Sequence, residues 1–324
     1  MDAAAGATRR VCVTGAGGFI ASWLVKLLLS KGYIVHGTVR DLGDKKNAHL
    51  KELENASANL QLFKADMLDY DSVRSAIAGC EGVFHVACPV PSTRSLNPDV
   101  EVIAPAVGGT VNVLKASSEA KVKRVVVVSS IVAVTVNPNW PRGKIKDESC
   151  WSDAEHCRKS QDWYYLSKTL AEHEALDYAE KHELDVVTVG PSLVVGPLLH
   201  STLNSSSLYL INLIKGVRRT AENRDIYLVD VRDVADALLL VYKESKAAGR
   251  HICASHSLKL RDLVDVLKRL YPNYKYIENF TEVEESSVVR SEKLKNLGWN
   301  HRTLEETLVD SIKYYQDAGL LHEA

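Results

Sequence analysis

Short apolar runs alternate with longer amphipathic stretches along the first two thirds of the chain. Val125–Val128 lacks the polar alternation of a half-exposed strand, which is typical of parallel strands buried on both faces. Strands are predicted at Arg10–Thr14, Tyr33–Val39, Leu60–Lys64, Gly82–Ala87, Arg124–Ser129 and Asp185–Gly190. Helices are predicted between them at Phe19–Lys31, Lys45–Asn55, Ser72–Ala78, Val100–Ala120 and Asp162–His182. This order of elements predicts an α/β fold with a doubly wound (Rossmann) parallel sheet.

The pattern becomes less regular after residue 195. Gly196-Pro197 marks a turn, and the polar stretch Ser201–Ser207 is expected to cap a helix at Leu208–Gly216. Further helices are predicted at Val231–Glu244, Leu258–Leu270 and Leu304–Ala318. We predict a Rossmann domain over residues 1–195 and, over residues 196–324, a smaller substrate-binding lobe, some segments of which return to the sheet.

The amino-acid composition argues against several classes of binding partner. Lys and Arg total 40 against 41 Asp and Glu, so no basic excess is present to bind nucleic acid or an anionic membrane surface. No run of 18 apolar residues predicts a membrane span, and the first ten residues lack the apolar core of a signal peptide. The six cysteines match no zinc pattern. A reduced, cytoplasmic location is expected, with Cys150 and Cys157 as inert thiols by default, although their spacing leaves a reversible disulfide open.

A glycine-rich segment, Thr14–Ala21 (TGAGGFIA), joins the first predicted strand to the first helix. Gly15 permits a sharp turn, and Gly18 leaves room for a pyrophosphate to approach the backbone. The N–H groups at the start of the helix then face that anion, while the small Ala21 lets helix and strand pack closely. The place of this glycine-rich segment at the first strand–helix junction predicts a dinucleotide-binding site.

The end of the second strand distinguishes NAD from NADP. An enzyme that uses NAD places a carboxylate there for the ribose hydroxyl, whereas this strand ends in Arg40, followed by Asp41 and by Lys45 and Lys46. A guanidinium binds a 2′-phosphate through two hydrogen bonds, and a lysine adds a point charge. The sequence therefore favours NADP(H), with a solvated basic loop as the alternative.

Tyr164 and Lys168 are four residues apart in a predicted helix and thus lie on one face of it. A positive charge beside a phenol favours proton transfer at neutral pH. The same spacing recurs in two pairs without a glycine loop or a strand-end serine to accompany them, Tyr242/Lys246 and Tyr271/Lys275.

Ser130 distinguishes the Tyr164/Lys168 pair from the other two pairs. It follows the Val125–Val128 run, where a hydroxyl at the carboxyl edge of the sheet faces the cofactor crevice. There it can donate a hydrogen bond to a carbonyl oxygen as negative charge develops. A strand-end cap is the structural alternative for this serine.

In combination these motifs resemble the extended short-chain dehydrogenase/reductases and, within them, the plant cinnamoyl-CoA reductase and dihydroflavonol reductase group. The likeness runs from about Arg9 to Leu321. Besides the glycine loop and Ser130, Tyr164 and Lys168, it rests on Thr38–Asp41 (TVRD), Gly82–Ala87 (GVFHVA), Asp147–Asp153 (DESCWSD), Ser167–Glu172 (SKTLAE), Pro191–Pro197 (PSLVVGP) and Gly249–Ala254 (GRHICA).

The resemblance implies that Ser130, Tyr164 and Lys168 form the catalytic triad. It also implies that Arg40 and Lys46 hold the 2′-phosphate, that Asp66 and Met67 flank the adenine, and that four residues line the nicotinamide. The full implied set of cofactor-binding residues is Gly15, Gly18, Phe19, Ile20, Arg40, Lys46, Asp66, Met67, Val86, Ala87, Pro191 and Val194. Asn112 is expected to be structural, because it lies inside a predicted helix.

Two departures from the cinnamoyl-CoA reductases bear on the substrate. Their Asn-Trp-Tyr-Cys-Tyr-x-Lys segment is replaced here by Asp162–Lys168 (DWYYLSK), a form shared with relatives that reduce ketones and aldehydes. Their His-x2-Lys pair, linked to use of CoA, corresponds to Tyr209 and Asn212, although Arg250 is kept. Loss of basic side chains weakens the case for a bound CoA.

The expected activity is NADPH-dependent reduction of a small aromatic, phenylpropanoid-type carbonyl, with an aldehyde or ketone favoured over a CoA thioester. The alternatives are hydroxycinnamoyl-CoA reduction and dihydroflavonol 4-reduction. A third alternative, of another class, is an NADP-binding regulatory protein with weak or no catalysis. No nucleic-acid or membrane partner is expected, and the sequence leaves the oligomeric state open.

Overall fold

The structure, a computed structural model, describes residues 9–88, 97–141, 143–283 and 288–322. The strands are β1 Arg10–Val13, β2 Ile34–Val39, β3 Leu60–Lys64, β4 Gly82–His85, β5 Arg124–Val128, β6 Val186–Pro191, β7 Leu193–Val195, β8 Thr220–Glu222, β9 Asp225–Asp230, β10 Gly249–Cys253, β11 His256–Lys259 and β12 Asn279–Thr281. The α-helices are α1 Phe19–Ser30, α2 Ala56–Asn59, α3 Tyr70–Ile77, α4 Ala104–Glu119, α5 Val132–Thr135, α6 Ala154–Lys159, α7 Trp163–His182, α8 Ser205–Ile214, α9 Val231–Lys243, α10 Leu260–Leu270, α11 Glu292–Asn296 and α12 Leu304–Asp317. Within these ranges, no helix has the length and apolar content needed to cross a membrane.

Seven parallel strands form the main sheet in the order β10-β6-β5-β4-β1-β2-β3. Val11 of β1 pairs with Val35 of β2 on one side and with Gly82 of β4 on the other. The order of the strands reverses between β1 and β4, which opens a crevice at the carboxyl ends of these two strands. The predicted doubly wound parallel sheet is confirmed.

Helices cover both faces of this sheet, which explains the continuous apolar run in β5. All five residues of β5 are buried. Val126 and Val128 belong to the core cluster that includes residues of α1 and α9, whereas Val125 and Val127 belong to the cluster with residues of α3, α4 and α7. Alternate side chains therefore enter two different cores, and neither face of the strand has room for polar residues.

The last third of the chain contributes both to the main sheet and to smaller ones. Strand β10 pairs with β6, and its Arg250 lies opposite Thr188. Strands β11, β9 and β7 form a three-stranded sheet, and β8 pairs with β12. These strands have no counterpart among the predicted elements. Strand β10 joins the edge of the main sheet, and the division of the chain at residue 195 stays a prediction.

Three predicted helices differ from the structure for local reasons. The Lys45–Asn55 helix is a 3-10 helix over Lys45–Glu52, separated from α2 by Asn55 in the left-handed conformation, at φ 65°. The Val100–Ala120 helix begins with a π-helical turn, and Pro105 lies in the first turn of α4, where its missing N–H is tolerated. The Ser201–Ser207 stretch contains the N-cap residue of α8, Asn204, but Asn204 makes no side-chain capping hydrogen bond, and the helix begins at Ser205, before the predicted start at Leu208.

Two glycines that follow helices provide a matched test of backbone strain. Gly216 has φ 56°, and a Cβ added there would lie 2.8 Å from the Lys275 carbonyl oxygen. Gly32 has φ 76° with no atom within 4 Å of such a Cβ. Gly32→Ala should lower the free energy of unfolding by about 1–2 kcal/mol through the left-handed conformation alone, and Gly216→Ala by roughly 1–3 kcal/mol more through the clash. Urea denaturation of both variants checks this prediction, and equal losses in the free energy of unfolding would contradict it.

Candidate active site

The glycine loop after β1 forms a cradle that fits a pyrophosphate. Gly15 has φ 66°, its N–H donates to Thr38 Oγ1 at 2.9 Å, and a Cβ there would lie 3.1 Å from Ala87. Gly18 is the N-cap residue of α1, which has no side-chain cap and no acidic residue in its first turn. The first-turn N–H groups, which include those of Phe19 and Ile20, are therefore suited to an anionic ligand.

A buried hydrogen-bond network fixes the end of β4 beside this loop. The Thr14 hydroxyl donates to His85 Nδ1 and accepts the N–H groups of Val86 and Ala87, each at 3.0 Å. His85 Nε2 lies 3.2 Å from the Thr110 hydroxyl. Burial, assisted by the charge of Lys168, lowers the pKa of His85 to about 3. The imidazole is therefore neutral and leaves Nδ1 as an acceptor for Thr14.

The end of β2 presents the basic residues expected to bind the 2′-phosphate. Arg40 is exposed, and Lys46 Nζ, 53% exposed, pairs with the Asp44 carboxylate at 2.8 Å. The Asp41 carboxylate accepts the Gly43 N–H at 2.9 Å, and the Asp41 carbonyl accepts Asn47 Nδ2 at 3.1 Å. Asp41 thus stabilises its own turn, and Arg40 beside it is left exposed.

At the end of β3, the exposed Asp66 and the half-buried Met67 form a turn. Asp66 Oδ1 accepts the Leu68 N–H at 2.9 Å. Asn112 Nδ2 donates to the Met67 carbonyl at 2.9 Å from helix α4. Asn112 therefore holds this turn in place, which agrees with the structural role expected for it.

Of the two serines that follow β5, only one has its hydroxyl hydrogen directed into the protein. The Ser129 hydroxyl donates to Glu172 Oε2 at 2.7 Å. Ser130 Oγ accepts the Val132 N–H at 3.3 Å, and an accepting hydroxyl keeps its own hydrogen to donate. Ser130 is 9% exposed and directly follows the strand end. It is the serine suited to contact a substrate oxygen.

Helix α7 presents Tyr164 and Lys168 at the same edge. Lys168 is 6% exposed, and its Nζ donates to the Val128 carbonyl at 3.1 Å, so the lysine also touches the end of β5. Burial opposes its charge, but Cys88, Tyr164 and Glu172 together raise the pKa of Lys168. A permanent ammonium beside a half-buried phenol is the arrangement that proton transfer requires.

The other Tyr-x3-Lys pairs lie elsewhere. Tyr242 packs against Phe84 and Tyr33, with ring centroids 5.0 and 6.4 Å away, and its ring covers Gly82 at the start of β4. It therefore lies toward the amino end of the strands. Tyr271 is the C-cap residue of α10. Neither tyrosine shares the strand edge with the glycine loop.

The remaining predicted site residues divide into two groups. Pro191 ends β6 beside β5, and its carbonyl accepts the Ile131 N–H at 2.9 Å, next to Ser130, whereas Val194 lies in β7 and pairs with Val229 of β9. Tyr209 and Asn212 instead lie on α8, the first half-buried and the second exposed. Pro191 thus lies at the carboxyl edge of the main sheet next to Ser130, whereas the buried side chains of α8, such as Leu210 and Ile214, belong to the core cluster that also contains residues of α1 and α9.

The residues that support the site were not identified from the sequence. Thr14 and Thr38 hold the glycine loop and the β4 end through their hydroxyls. Glu172 is buried and continues the stripe of Tyr164 and Lys168 by one further helical turn. A signal was present, because a carboxylate on the buried face of a helix needs a partner.

Cysteine and metal chemistry contribute little to this picture. Cys150 and Cys157 are free thiols in two different core clusters, and burial raises the pKa of both. Within the ranges that the structure describes, no three His, Cys, Asp or Glu residues come together as a metal site. The default expectation of inert thiols agrees with this arrangement.

The NAD dependent epimerase/dehydratase family matches residues 11–254 of the chain. "Cinnamoyl-CoA reductase 2" of Medicago truncatula is 45% identical over 320 residues, which cover 98% of this chain and 94% of that protein. The solved structure of vestitone reductase from alfalfa (Medicago sativa L.) has a TM-score of 0.83 at 32% identity, covering 96% of this chain and 99% of that chain. Gre2 from Candida albicans in complex with NADPH has a TM-score of 0.81 at 26% identity, covering 95% of this chain and 99% of that chain.

These likenesses extend over nearly the whole chain and agree with the cradle, the basic strand end and the Ser-Tyr-Lys edge. They include a structure solved in complex with NADPH, the phosphorylated cofactor. The chain belongs to the NAD dependent epimerase/dehydratase family, among the extended short-chain dehydrogenase/reductases, and is an NADP(H)-binding oxidoreductase similar to the cinnamoyl-CoA reductases.

Proposed function

We propose that the protein uses NADPH to reduce the carbonyl of a small aromatic, phenylpropanoid-type substrate, and that it prefers an aldehyde or ketone to a CoA thioester. This proposal rests on the observation that Ser130, Tyr164 and Lys168 lie close together at the end of β5, beside the glycine cradle. A hydroxyl donor, a phenol and a buried ammonium at one edge are the groups that carbonyl reduction needs.

Each of the three residues has a distinct task in this mechanism. When bound, NADPH supplies the hydride, and its phosphates are held by the first turn of α1 and by Arg40 and Lys46. Tyr164 donates its phenolic proton to the carbonyl oxygen as negative charge develops there. Ser130 donates a hydrogen bond to the same oxygen, and the Lys168 ammonium stabilises the phenolate left on Tyr164. With a thioester, the same groups would stabilise a tetrahedral intermediate that expels the thiol.

The preference for an uncharged substrate rests on which cations can reach a ligand. Tyr209 and Asn212 stand where the cinnamoyl-CoA reductases have His and Lys, so α8 supplies neither cation at these positions. The Arg250 guanidinium is buried, and its hydrogen bonds go to Glu172 and to backbone carbonyls. An aromatic aldehyde needs no cation, whereas the phosphates of CoA do.

Thioester reduction is the second candidate. It is favoured by the 45% identity to the cinnamoyl-CoA reductase of Medicago truncatula. Dihydroflavonol 4-reduction and a regulatory NADP-binding role are weaker alternatives, because no contact described above favours the first and the complete triad argues against the second. Turnover of NADPH with aromatic aldehydes, flavanonols and CoA esters separates these activities.

Tyr164→Phe should lower kcat by about 10²–10⁴-fold, because one positioned acid is removed while the ring is kept. The dissociation constant of NADPH should stay nearly unchanged. Tyr165→Phe is the matched control, since its ring lies edge-on to Tyr164 at 6.4 Å and belongs to the same helix. Steady-state kinetics and NADPH fluorescence measure both effects; activity of Tyr164→Phe within a few-fold of wild type would remove this tyrosine from the role.

Arg40→Ala should weaken NADPH binding by about ten- to a hundredfold, since a charge-assisted hydrogen bond contributes roughly 1.5–3 kcal/mol. Binding of NADH, which lacks the 2′-phosphate, should change little. Lys51→Ala is the control, an exposed lysine of the same basic segment. Fluorescence titration with both cofactors gives the ratio, and an equal loss for NADPH and NADH would mean that the 2′-phosphate is recognised elsewhere.

The double variant Tyr209→His with Asn212→Lys should raise kcat/KM for cinnamoyl-CoA and leave or lower that for cinnamaldehyde. The physical reason is that two basic side chains would then be present on α8 for the phosphates of CoA. Wild-type protein should reduce the aldehyde more efficiently than the thioester. Efficient wild-type turnover of cinnamoyl-CoA would instead make thioester reduction the first assignment.

A further inference from the structure

Behind the triad lies a buried ion pair between Glu172 of α7 and Arg250 of β10. The two side chains are 3% and 8% exposed, and Glu172 Oε1 lies 3.0 Å from Arg250 Nε. Glu172 follows Lys168 by one helical turn and Tyr164 by two. Burying two charges stabilises a protein only when the pair is fully hydrogen-bonded, so the partners of each group decide what the pair does.

All five N–H donors of Arg250 are directed at protein atoms. Nε and one Nη2 hydrogen bind the two oxygens of Glu172, at 3.0 and 3.2 Å. The other donors bind the carbonyls of Ala133, Glu148 and Cys150, at 3.3, 2.9 and 2.6 Å. The guanidinium also lies over the Trp151 ring, 3.4 Å from its centroid. A guanidinium has no sixth donor, so a substrate phosphate would have to displace one of these partners.

Both carboxylate oxygens of Glu172 also accept hydrogen bonds from side chains next to the candidate site. Oε2 accepts the Ser129 hydroxyl at 2.7 Å, next to Ser130, and Oε1 accepts the Thr188 hydroxyl at 2.6 Å from β6. With Arg250, the carboxylate therefore accepts four hydrogen bonds. It connects the end of β5, strand β6, helix α7 and strand β10 at a single point.

The end of β5 is thus attached to α7 at two successive residues. Lys168 Nζ binds the Val128 carbonyl, and Glu172 binds the Ser129 hydroxyl. These contacts set the position of Ser130 relative to the helix that carries Tyr164 and Lys168. A reacting group displaced by about 1 Å can reduce a rate by about a hundredfold, so a shift of Ser130 relative to α7 would lower turnover.

We infer that the Glu172–Arg250 pair positions the catalytic residues, and that Arg250 acts through Glu172 on the strand carrying Ser130 rather than by binding the substrate. The inference rests on the proposed carbonyl reduction for its readout. It assigns the same role to Arg250 whether the substrate is an aldehyde or a thioester.

Arg250→Lys tests this, because lysine keeps the charge but cannot reproduce the five-donor fork. We expect kcat to fall by about ten- to a hundredfold with both cinnamaldehyde and cinnamoyl-CoA, while both KM values and the NADPH dissociation constant stay within about threefold. The matched control is Arg124→Lys. Arg124 lies at the opposite end of β5, is also buried, and pairs with Asp185 at 2.8 Å. The Arg124→Lys substitution should lower the melting temperature without changing kcat more than about twofold.

A double variant separates positioning from general stability. Glu172→Gln with Arg250→Met removes both charges, so its melting temperature should lie nearer to wild type than that of Arg250→Met alone. If the pair positions the site, kcat of the double variant stays low even though stability is recovered. Recovery of kcat together with the melting temperature would overturn the inference, because the pair would then be merely structural.

Substrate binding by Arg250 predicts a different result. The KM for cinnamoyl-CoA would rise in Arg250→Lys while the kinetics with cinnamaldehyde stayed unchanged, and this outcome would also overturn the inference. If wild-type protein reduces neither compound, the proposed function fails. The melting temperatures of Glu172→Gln, Arg250→Met, the double variant and wild type then still test the pair without substrate, and additive effects on the melting temperature would refute the coupling of the two residues.

Discussion

The structure depends on one constraint, which is that every interior strand of the main sheet is covered on both faces. Strand β5 sends alternate valines into two different cores, so polar groups are excluded from its middle. Because all seven strands are parallel, the first positions open to polar side chains lie at one common edge. Thr14, Ser130 and the residues after β4 therefore meet there, and the Thr14 hydroxyl joins β1 to the end of β4 through its hydrogen bonds to His85, Val86 and Ala87.

Backbone polarity and side-chain charge act together at that edge. The first turn of α1 offers N–H groups without a capping side chain, while the local turn after β2 uses the Asp41 carboxylate and leaves Arg40 exposed. Lys168 lies deeper, where burial by itself would lower the pKa of its ammonium, but its neighbours raise this pKa. The candidate site thus combines uncapped N–H groups and an exposed arginine at its rim with a buried lysine beside Tyr164 at the end of β5.

Much of this arrangement could be predicted from the sequence, because the signals are local. A valine run defines β5, and glycines at a strand–helix junction define the cradle. The strand β10 could not be predicted in the same way, since Arg250 and His251 interrupt its apolar pattern. Its burial depends on Glu172, which is 78 residues away along the chain, and only the fold brings the two charges together. The start of α8 was missed because its serines lie inside the first turn rather than before it.

The position of β10 has a consequence for how the protein folds during synthesis. Strand β10, one of the two edge strands of the Rossmann sheet, lies near the end of the sequence that the family matches, after α8, β9 and α9 have been made. Until residue 250 has left the ribosome, the carboxylate of Glu172 has no guanidinium to neutralise it, and a buried unpaired carboxylate is unfavourable. The Rossmann sheet therefore completes its core late, and a nascent chain that ends at residue 195 contains Ser130, Tyr164 and Lys168 in a sheet that still lacks β10.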